Sequence, residues 1–260
     1  MTTYTVATPK GGVGKSTTAA ELTLALSQLG RRVLAIDLDQ QGNLTARLGL
    51  TASSEVDGTT ADVLAGDLDL DQAATPSPAL AGGDVLAGTH ALADTEAAPP
   101  PDLITFLRDE IPSHAGRWDD VVIDTPPSVG ALTQAGLAAA DVIIAPVTPS
   151  VEAYDQLRRL TAVLDARIAR RVNRGARISW VVPVAFDSRA RDGRGRLLDR
   201  EIFTQLCNTY PGQVTPPVRD SVTARDAYME GLPVGAYAPD TPVAKDYAAA
   251  LGVIIEGAAS

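Results

Sequence analysis

Cysteine is nearly absent: the chain of 260 residues has one, Cys207. A single thiol makes no intramolecular disulfide and builds no Cys-based zinc or iron–sulfur site within the chain, so a reducing compartment is expected. Aromatic residues make up 4%, and there are two histidines, His90 and His114. Both fall in loop-rich stretches and read as surface residues, which leaves no imidazole general base. No apolar run approaches the ~18 residues of a membrane span, and the opening MTTYTVATPK has no charged segment followed by a hydrophobic one. The expectation is a cytoplasmic protein without a membrane partner. Lysine is scarce as well: of 22 basic residues only Lys10, Lys15 and Lys245 are lysine. Two of these three stand in one short loop, where a compact ammonium suits phosphate.

Charge is plentiful and unevenly spread. The net charge is −10, yet Arg158 to Arg200 holds twelve Arg against four Asp, and Ala46 to Ile111 holds two Arg against twelve acidic residues. At 45% apolar and 21% charged the composition is that of a folded globular protein. Short β-branched runs alternate with helical patterns, which predicts an α/β fold: a mostly parallel twisted sheet with helices on both faces. The strand candidates are Tyr4 to Thr8, Val33 to Asp37, Val121 to Asp124, Val142 to Pro146 and Ile178 to Ala185. Ser16 to Leu29 and Val151 to Arg171 read as helices. Thr51 to Pro101 reads as short helices around Ala61 to Ala65 and a strand near Val85, with Pro99 to Pro101 leading into a helix at Asp102 to Glu110. With no repeat and no clear linker, residues 1–260 are expected to form one domain.

After the first strand comes Lys10-Gly11-Gly12-Val13-Gly14-Lys15-Ser16-Thr17, opening a helix. Glycines let backbone N–H groups surround phosphate oxygens, the helix start adds partial positive charge, Lys15 reaches the outer phosphates and the Ser16 hydroxyl suits Mg2+. This is a nucleoside-triphosphate loop of the P-loop NTPase kind, in a variant form, because the strict pattern asks for Gly where Pro9 stands.

That loop resembles the deviant Walker A box of the ParA/MinD ATPases, and three further blocks agree. Asp37-Leu38-Asp39-Gln40-Gln41-Gly42-Asn43 resembles the first switch of ParA, with Gln40 where the family has Pro. Val121 to Pro127 resembles the Walker B strand and second switch. Val142 to Ser150 and Gly231-Leu232-Pro233-Val234 resemble later landmarks. The resemblance implies ATP and Mg2+ as cofactors, with Ser16 and Asp124 at the metal beside Asp37. It implies Asp39 orienting the attacking water and Lys10 reaching a partner's nucleotide across an ATP-dependent homodimer. Slow hydrolysis and a ParB-like adaptor that stimulates it follow from the same resemblance, since no arginine finger is evident among these residues.

The basic stretch points to DNA. Arg158, Arg159, Arg170, Arg171 and Arg174 line a helix and its exit, while Arg189, Arg191, Arg194 and Arg196 follow in a Gly-interrupted loop. Without interleaved aromatics, phosphate contact is expected rather than base stacking, hence nonspecific binding and association with the nucleoid. The family also places a basic residue near Thr223, which brings in Arg219 and Arg225. Two other readings remain open: a P-loop biosynthetic synthetase or ligase with a second substrate pocket, and a MinD-like membrane-cycling ATPase. The latter calls for a basic amphipathic tail, which KDYAAALGVIIEGAAS does not resemble.

Overall fold

Aliphatic runs occupy the middle of an eight-stranded sheet, and their alternate side chains enter two different apolar layers. In this computed structural model the described residues are 1–51 and 53–258, so Ala52, Ala259 and Ser260 lie outside them. The elements begin with β1 (Thr2–Val6), α1 (Lys15–Gln28), β2 (Val33–Asp37), α2 (Asn43–Arg47), α3 (Thr60–Ala65) and α4 (Leu70–Ala73). Next come β3 (Thr75–Pro76), β4 (Gly83–Leu86), α5 (Leu92–Ala97), α6 (Leu103–Glu110), β5 (Asp120–Asp124) and α7 (Ala131–Ala139). The chain continues with β6 (Val142–Val147), α8 (Ala153–Val163), β7 (Ile178–Phe186), α9 (Leu197–Thr209) and β8 (Val218–Arg219). It closes with α10 (Thr223–Met229), α11 (Val234–Tyr237) and α12 (Pro242–Ala258).

The strand order is β3-β4-β2-β5-β1-β6-β7-β8. All pairings are parallel except the edge pair β3 and β4. Val122, Tyr4, Val6, Ala35 and Val182 face the layer of α1 and α12, where Leu22 and Leu26 meet Leu251 and Ile254. Val121, Ile123, Leu34, Ile36 and Leu86 face the opposite layer, with residues of α3, α6 and α7. On that side, β6 and β7 are covered by Leu157 and Leu160 of α8 and Ile202 of α9. A strand buried on both faces has to be apolar at every position, which is why these runs do not alternate. Each fully buried Leu contributes about 2 kcal/mol of transfer free energy.

The expected α/β sheet is therefore present, with several boundaries moved. The first strand ends at Val6: Ala7 N–H still bonds the Ile144 carbonyl at 2.9 Å, and beyond it the Thr8 hydroxyl donates to the Pro146 carbonyl at 2.8 Å. The helix expected over Val151 to Arg171 stops at Val163 and continues as a π-helical turn at Leu164–Ile168. There Ala169 N–H bonds the Leu164 carbonyl at 2.8 Å, an i→i−5 step that apolar spacing does not distinguish from an α-helix. His114 is not a free surface residue. The 3-10 turn after α6 folds it back so that Nε2 meets Glu110 Oε1 at 2.9 Å, and its ring tilts against Trp118. His90 is exposed as expected.

The parallel strands all end on one edge, and the loops after β1, β2, β5 and β7 gather there. Ligands of open parallel sheets bind at that edge.

Candidate functional site

The loop between β1 and α1 turns through two left-handed glycines, Gly12 at φ 73° and Gly14 at φ 85°. Gly14 is confined as well as turned: a Cβ there would lie 3.1 Å from Cγ1 of Val184 in β7. α1 starts directly after it, with no side-chain cap and no acidic residue in its first turn. Its first N–H groups are thus left for an anion. A cavity of about 360 Å³ lies over them, lined by Gly11, Gly12, Gly14, Lys15, Ser16, Thr17, Asp39, Gln41, Asn43, Arg47 and Pro127.

The two loop lysines take different positions. Lys15 is buried, and its Nζ donates to the Lys10 carbonyl oxygen at 2.9 Å. Burial holds its pKa below the ordinary lysine value, opposed by Asp124 and Asp39. The Lys10 side chain is 41% exposed, and its ammonium stands 3.7 Å from Glu152 at the start of α8.

The three carboxylates at the strand ends also differ in their duties. Asp37 is fully buried, accepting from Asp39 N at 3.1 Å and from Thr45 N and Oγ1 at 2.9 and 2.8 Å. It therefore fastens the loop that follows β2, and it does not itself line the cavity. Burial pushes it up to about 6, against the pull of those hydrogen bonds. Asp39 lines the cavity and accepts from Gln41 N at 3.0 Å. Asp124 has 0% exposure, and neither carboxylate oxygen has a hydrogen-bond partner. Burial first, and then Asp37, raises its pKa well above the carboxylate range, while the nearby Ser16 hydroxyl and Lys15 oppose the shift. Two unpartnered buried oxygens beside a hydroxyl at a helix start fit a hydrated Mg2+, which keeps most of its waters and takes few protein ligands. Among the described residues no group of three or more His, Cys, Asp or Glu side chains is placed to hold a metal ion.

The basic residues are divided by the sheet. Arg158 and Arg159 lie exposed along α8, and Arg170, Arg171 and Arg174 are exposed where the chain returns to the N-terminal edge of β7. The loop of Arg189, Arg191, Arg194 and Arg196 follows the C-terminal end of β7, on the edge that carries the phosphate loop. Within it, Arg189 binds Asp187 through Nε and Nη2 at 3.0 and 2.8 Å, and Arg196 binds Asp199 at 2.9 Å. Arg191 and Arg194 have no ion pair among the described residues. Arg219 is held by Asp246, and Arg225 is exposed on α10.

Two residues at this edge escape a reading of the sequence. Arg47 lines the nucleotide-sized cavity; its only signal is a lone arginine four residues after Asn43 in an acidic stretch. Glu96 accepts from Ala131 N and Leu132 N, both at 2.9 Å, clipping α5 to the helix after the second switch. Only the folded chain brings Glu96 to that helix start.

Strand, glycine loop, uncapped helix and buried strand-end aspartates define a P-loop nucleotide-binding domain. Residues 1–178 match the AAA domain family. A "Chromosome-partitioning ATPase Soj" of Thermus thermophilus is 32% identical over 248 residues, covering 93% of this chain and 90% of that one. A "Chromosome partitioning protein ParA" of Myxococcus xanthus is 33% identical over 187 residues, covering 71% of this chain and 65% of that one. The chain belongs to the ParA/Soj family of partition ATPases. Among solved structures, McdA of Cyanothece in an ATP complex has the same fold, with TM-score 0.82 at 21% identity over 98% of this chain and 96% of that one. Cobyrinic acid a,c-diamide synthase of Mycobacterium smegmatis, with bound ADP and magnesium, has TM-score 0.81 at 26% identity over 100% and 96%.

Proposed function

We propose that residues 1–260 work as one ATPase domain of an ATP-switched partition system. The chain binds ATP with Mg2+, pairs with a second copy across the nucleotides, and as that dimer holds DNA without sequence preference at the nucleoid. Slow hydrolysis, speeded by a ParB-like adaptor, releases it, so that a plasmid, a chromosome origin or another cargo is moved. The position of Lys10 supports this reading above all. Lys15 already serves the cavity from within, while the Lys10 side chain stays at the rim, 41% exposed and held by one weak ion pair, where a partner protomer can be reached.

In this scheme the amides of residues 11–17 and Lys15 hold the phosphates. Ser16 and Asp124, with Asp37 behind, would hold Mg2+, and Asp39 would orient the attacking water. Bound Mg2+ supplies charge neutralisation at the outer phosphates. DNA contact falls to Arg158, Arg159, Arg170, Arg171, Arg174, Arg191, Arg194 and Arg225. Arg189, Arg196 and Arg219 contribute less, since an acidic neighbour already balances each. Light scattering with and without ATP tests the switch: ATP should double the mass of the parent protein and not that of Lys10→Ala. A parent protein that stays monomeric in ATP would exclude the scheme.

A second reading has one observation behind it. A largely apolar cleft of about 370 Å³, lined by Leu38, Gln40, Leu92, Pro126 and Leu132 among others, opens beside Asp39. A P-loop synthetase would need such a second pocket. Fast turnover by a monomer given an organic acid and an amine donor would favour it. The MinD-like reading gains nothing from α12, whose apolar side, with Leu251 and Ile254, packs against α1.

A further inference from the structure

We propose that Arg47 is a nucleotide ligand supplied in cis: its guanidinium binds a phosphate of the ATP held by the Lys15 loop, from the side of the loop that follows β2. The proposal rests on the ATP reading above and adds to it a cation that the loop motif does not contain.

Arg47 is the last residue of α2 and lines the same cavity as Lys15, Ser16 and Thr17. Its Nε and Nη1 are shut off from solvent and have no hydrogen-bond partner. A guanidinium presents five N–H donors and no acceptor, so donors buried without partners are costly. The neighbouring carboxylates attract it through space but give it no hydrogen bond. Glu21, nearly two turns into α1, is engaged by the backbone N–H groups of Val234 and Gly235. Asp124 influences Arg47 only through space.

What does hold the side chain is an aromatic face. The Arg47 guanidinium carbon lies 4.5 Å from the Tyr228 ring centroid, and the Tyr228 hydroxyl donates to Asn43 Oδ1 at 3.1 Å. The stack fixes the plane of the guanidinium and uses none of its N–H donors. An apolar side chain would pack on Tyr228 equally well without the cost of a buried charge. A planar cation, oriented by a ring and placed at the wall of a polyphosphate-sized cavity, matches the bidentate geometry by which arginine binds phosphate. Arginines supplied in cis stabilise charge on phosphates in other nucleotide hydrolases.

The test compares the parent with Arg47→Met, Arg47→Lys and Lys15→Ala by equilibrium binding of a non-hydrolysable ATP analogue and of ADP, each with Mg2+, alongside melting without nucleotide. Arg47→Met should melt no lower than the parent, because an unpaired buried charge has been removed. Its affinity for the ATP analogue should fall about 10- to 100-fold, the range of a hydrogen bond to a charged group. Arg47→Lys should lie between the two. A loss for the analogue alone places the contact on the terminal phosphate, and an equal loss for ADP places it on the inner ones. Analogue affinity of Arg47→Met within twofold of the parent, while Lys15→Ala binds about 100-fold more weakly, overturns the role of Arg47 and leaves the ATP reading intact. A parent protein that binds no analogue at all removes that reading, and this proposal falls with it.

Discussion

Lys15 Nζ donates to the backbone carbonyl of Lys10 at 2.9 Å, so the inner lysine of the phosphate loop is braced by the main chain of the outer one. The brace does not involve the Lys10 side chain. The Lys10 side chain can therefore be removed without disturbing Lys15, whereas removing Lys15 also frees the Lys10 carbonyl, and the two variants should fail in different ways.

Lys15→Ala removes the one ammonium that lines the cavity. ATP affinity should fall roughly 100-fold, as expected for loss of a charge-assisted interaction with phosphate. Equilibrium titration with a fluorescent ATP analogue measures it, and near-parental affinity would take Lys15 out of its role.

Lys10→Ala should bind ATP within a few-fold of the parent and yet give no dimer in light scattering. Its stability should change by less than ~0.5 kcal/mol, because the ion pair with Glu152 is long and exposed. Asp39→Ala should do the reverse, dimerising with ATP and releasing no phosphate over hours. A Lys10 variant that dimerises normally would end the model of nucleotide shared across the interface.

Glu21 sets a pH dependence whose sign follows from burial. Desolvation raises its pKa from the ordinary 4.5 to about 7, opposed by the N–H groups of Gly235 and Val234 and by Arg47. Between those two values the folded state holds a proton that the unfolded chain has released. Stability should therefore fall as pH rises from about 4.5 to 7 and level off above, by roughly 3 kcal/mol at most. Urea unfolding at pH 5 and pH 7.5 should show the decline in the parent and a smaller one in Glu21→Gln.

The Glu96 clip is open to two substitutions. Glu96→Ala frees two N–H groups at the start of α7 and should cost about 1 kcal/mol, as loss of a helix cap does. Gly130→Ala should cost about as much or less, since its Cβ would push aside the flexible end of the Glu96 side chain. Chemical denaturation of both variants decides the matter, and two unchanged midpoints would show that the clip contributes nothing.

Within the arginine loop, free and paired residues should separate. Replacing Arg191 and Arg194 with Ala should weaken DNA binding and lower the salt slope by about 0.9 for each phosphate the loop no longer neutralises, with stability unchanged. Replacing Arg189 and Arg196 should instead loosen the loop that Asp187 and Asp199 hold together. Filter binding across a salt series distinguishes them, and equal falls in DNA affinity would remove the distinction.

Much of the fold is legible in the sequence because buried parallel strands have to be apolar throughout. Val33 to Asp37 reads to the residue, and the phosphate loop marks where the first helix starts. α12 is harder to see: its Ala-rich run has little contrast between faces, and burial against α1 is a tertiary fact. At the site, Lys15, Ser16 and Asp124 can be read from local motif chemistry. The pairing of Arg189, Arg196 and Arg219 with Asp187, Asp199 and Asp246 cannot, because net charge over a segment does not tell which charges already have partners. Arg47 is hidden for a related reason: its stack on Tyr228 joins two residues far apart in the chain.

Strand β7 separates the two groups of arginines, and its nine residues span roughly 30 Å at the usual rise per residue. That length is close to one helical turn of B-form DNA, about 34 Å. If both arginine groups contact DNA as proposed, a duplex lying along the strand direction could meet them one turn apart. A duplex lying across it would meet only one of them. In the proposed DNA complex the strand would then act as a spacer, and a contact made without sequence preference would still have a preferred heading.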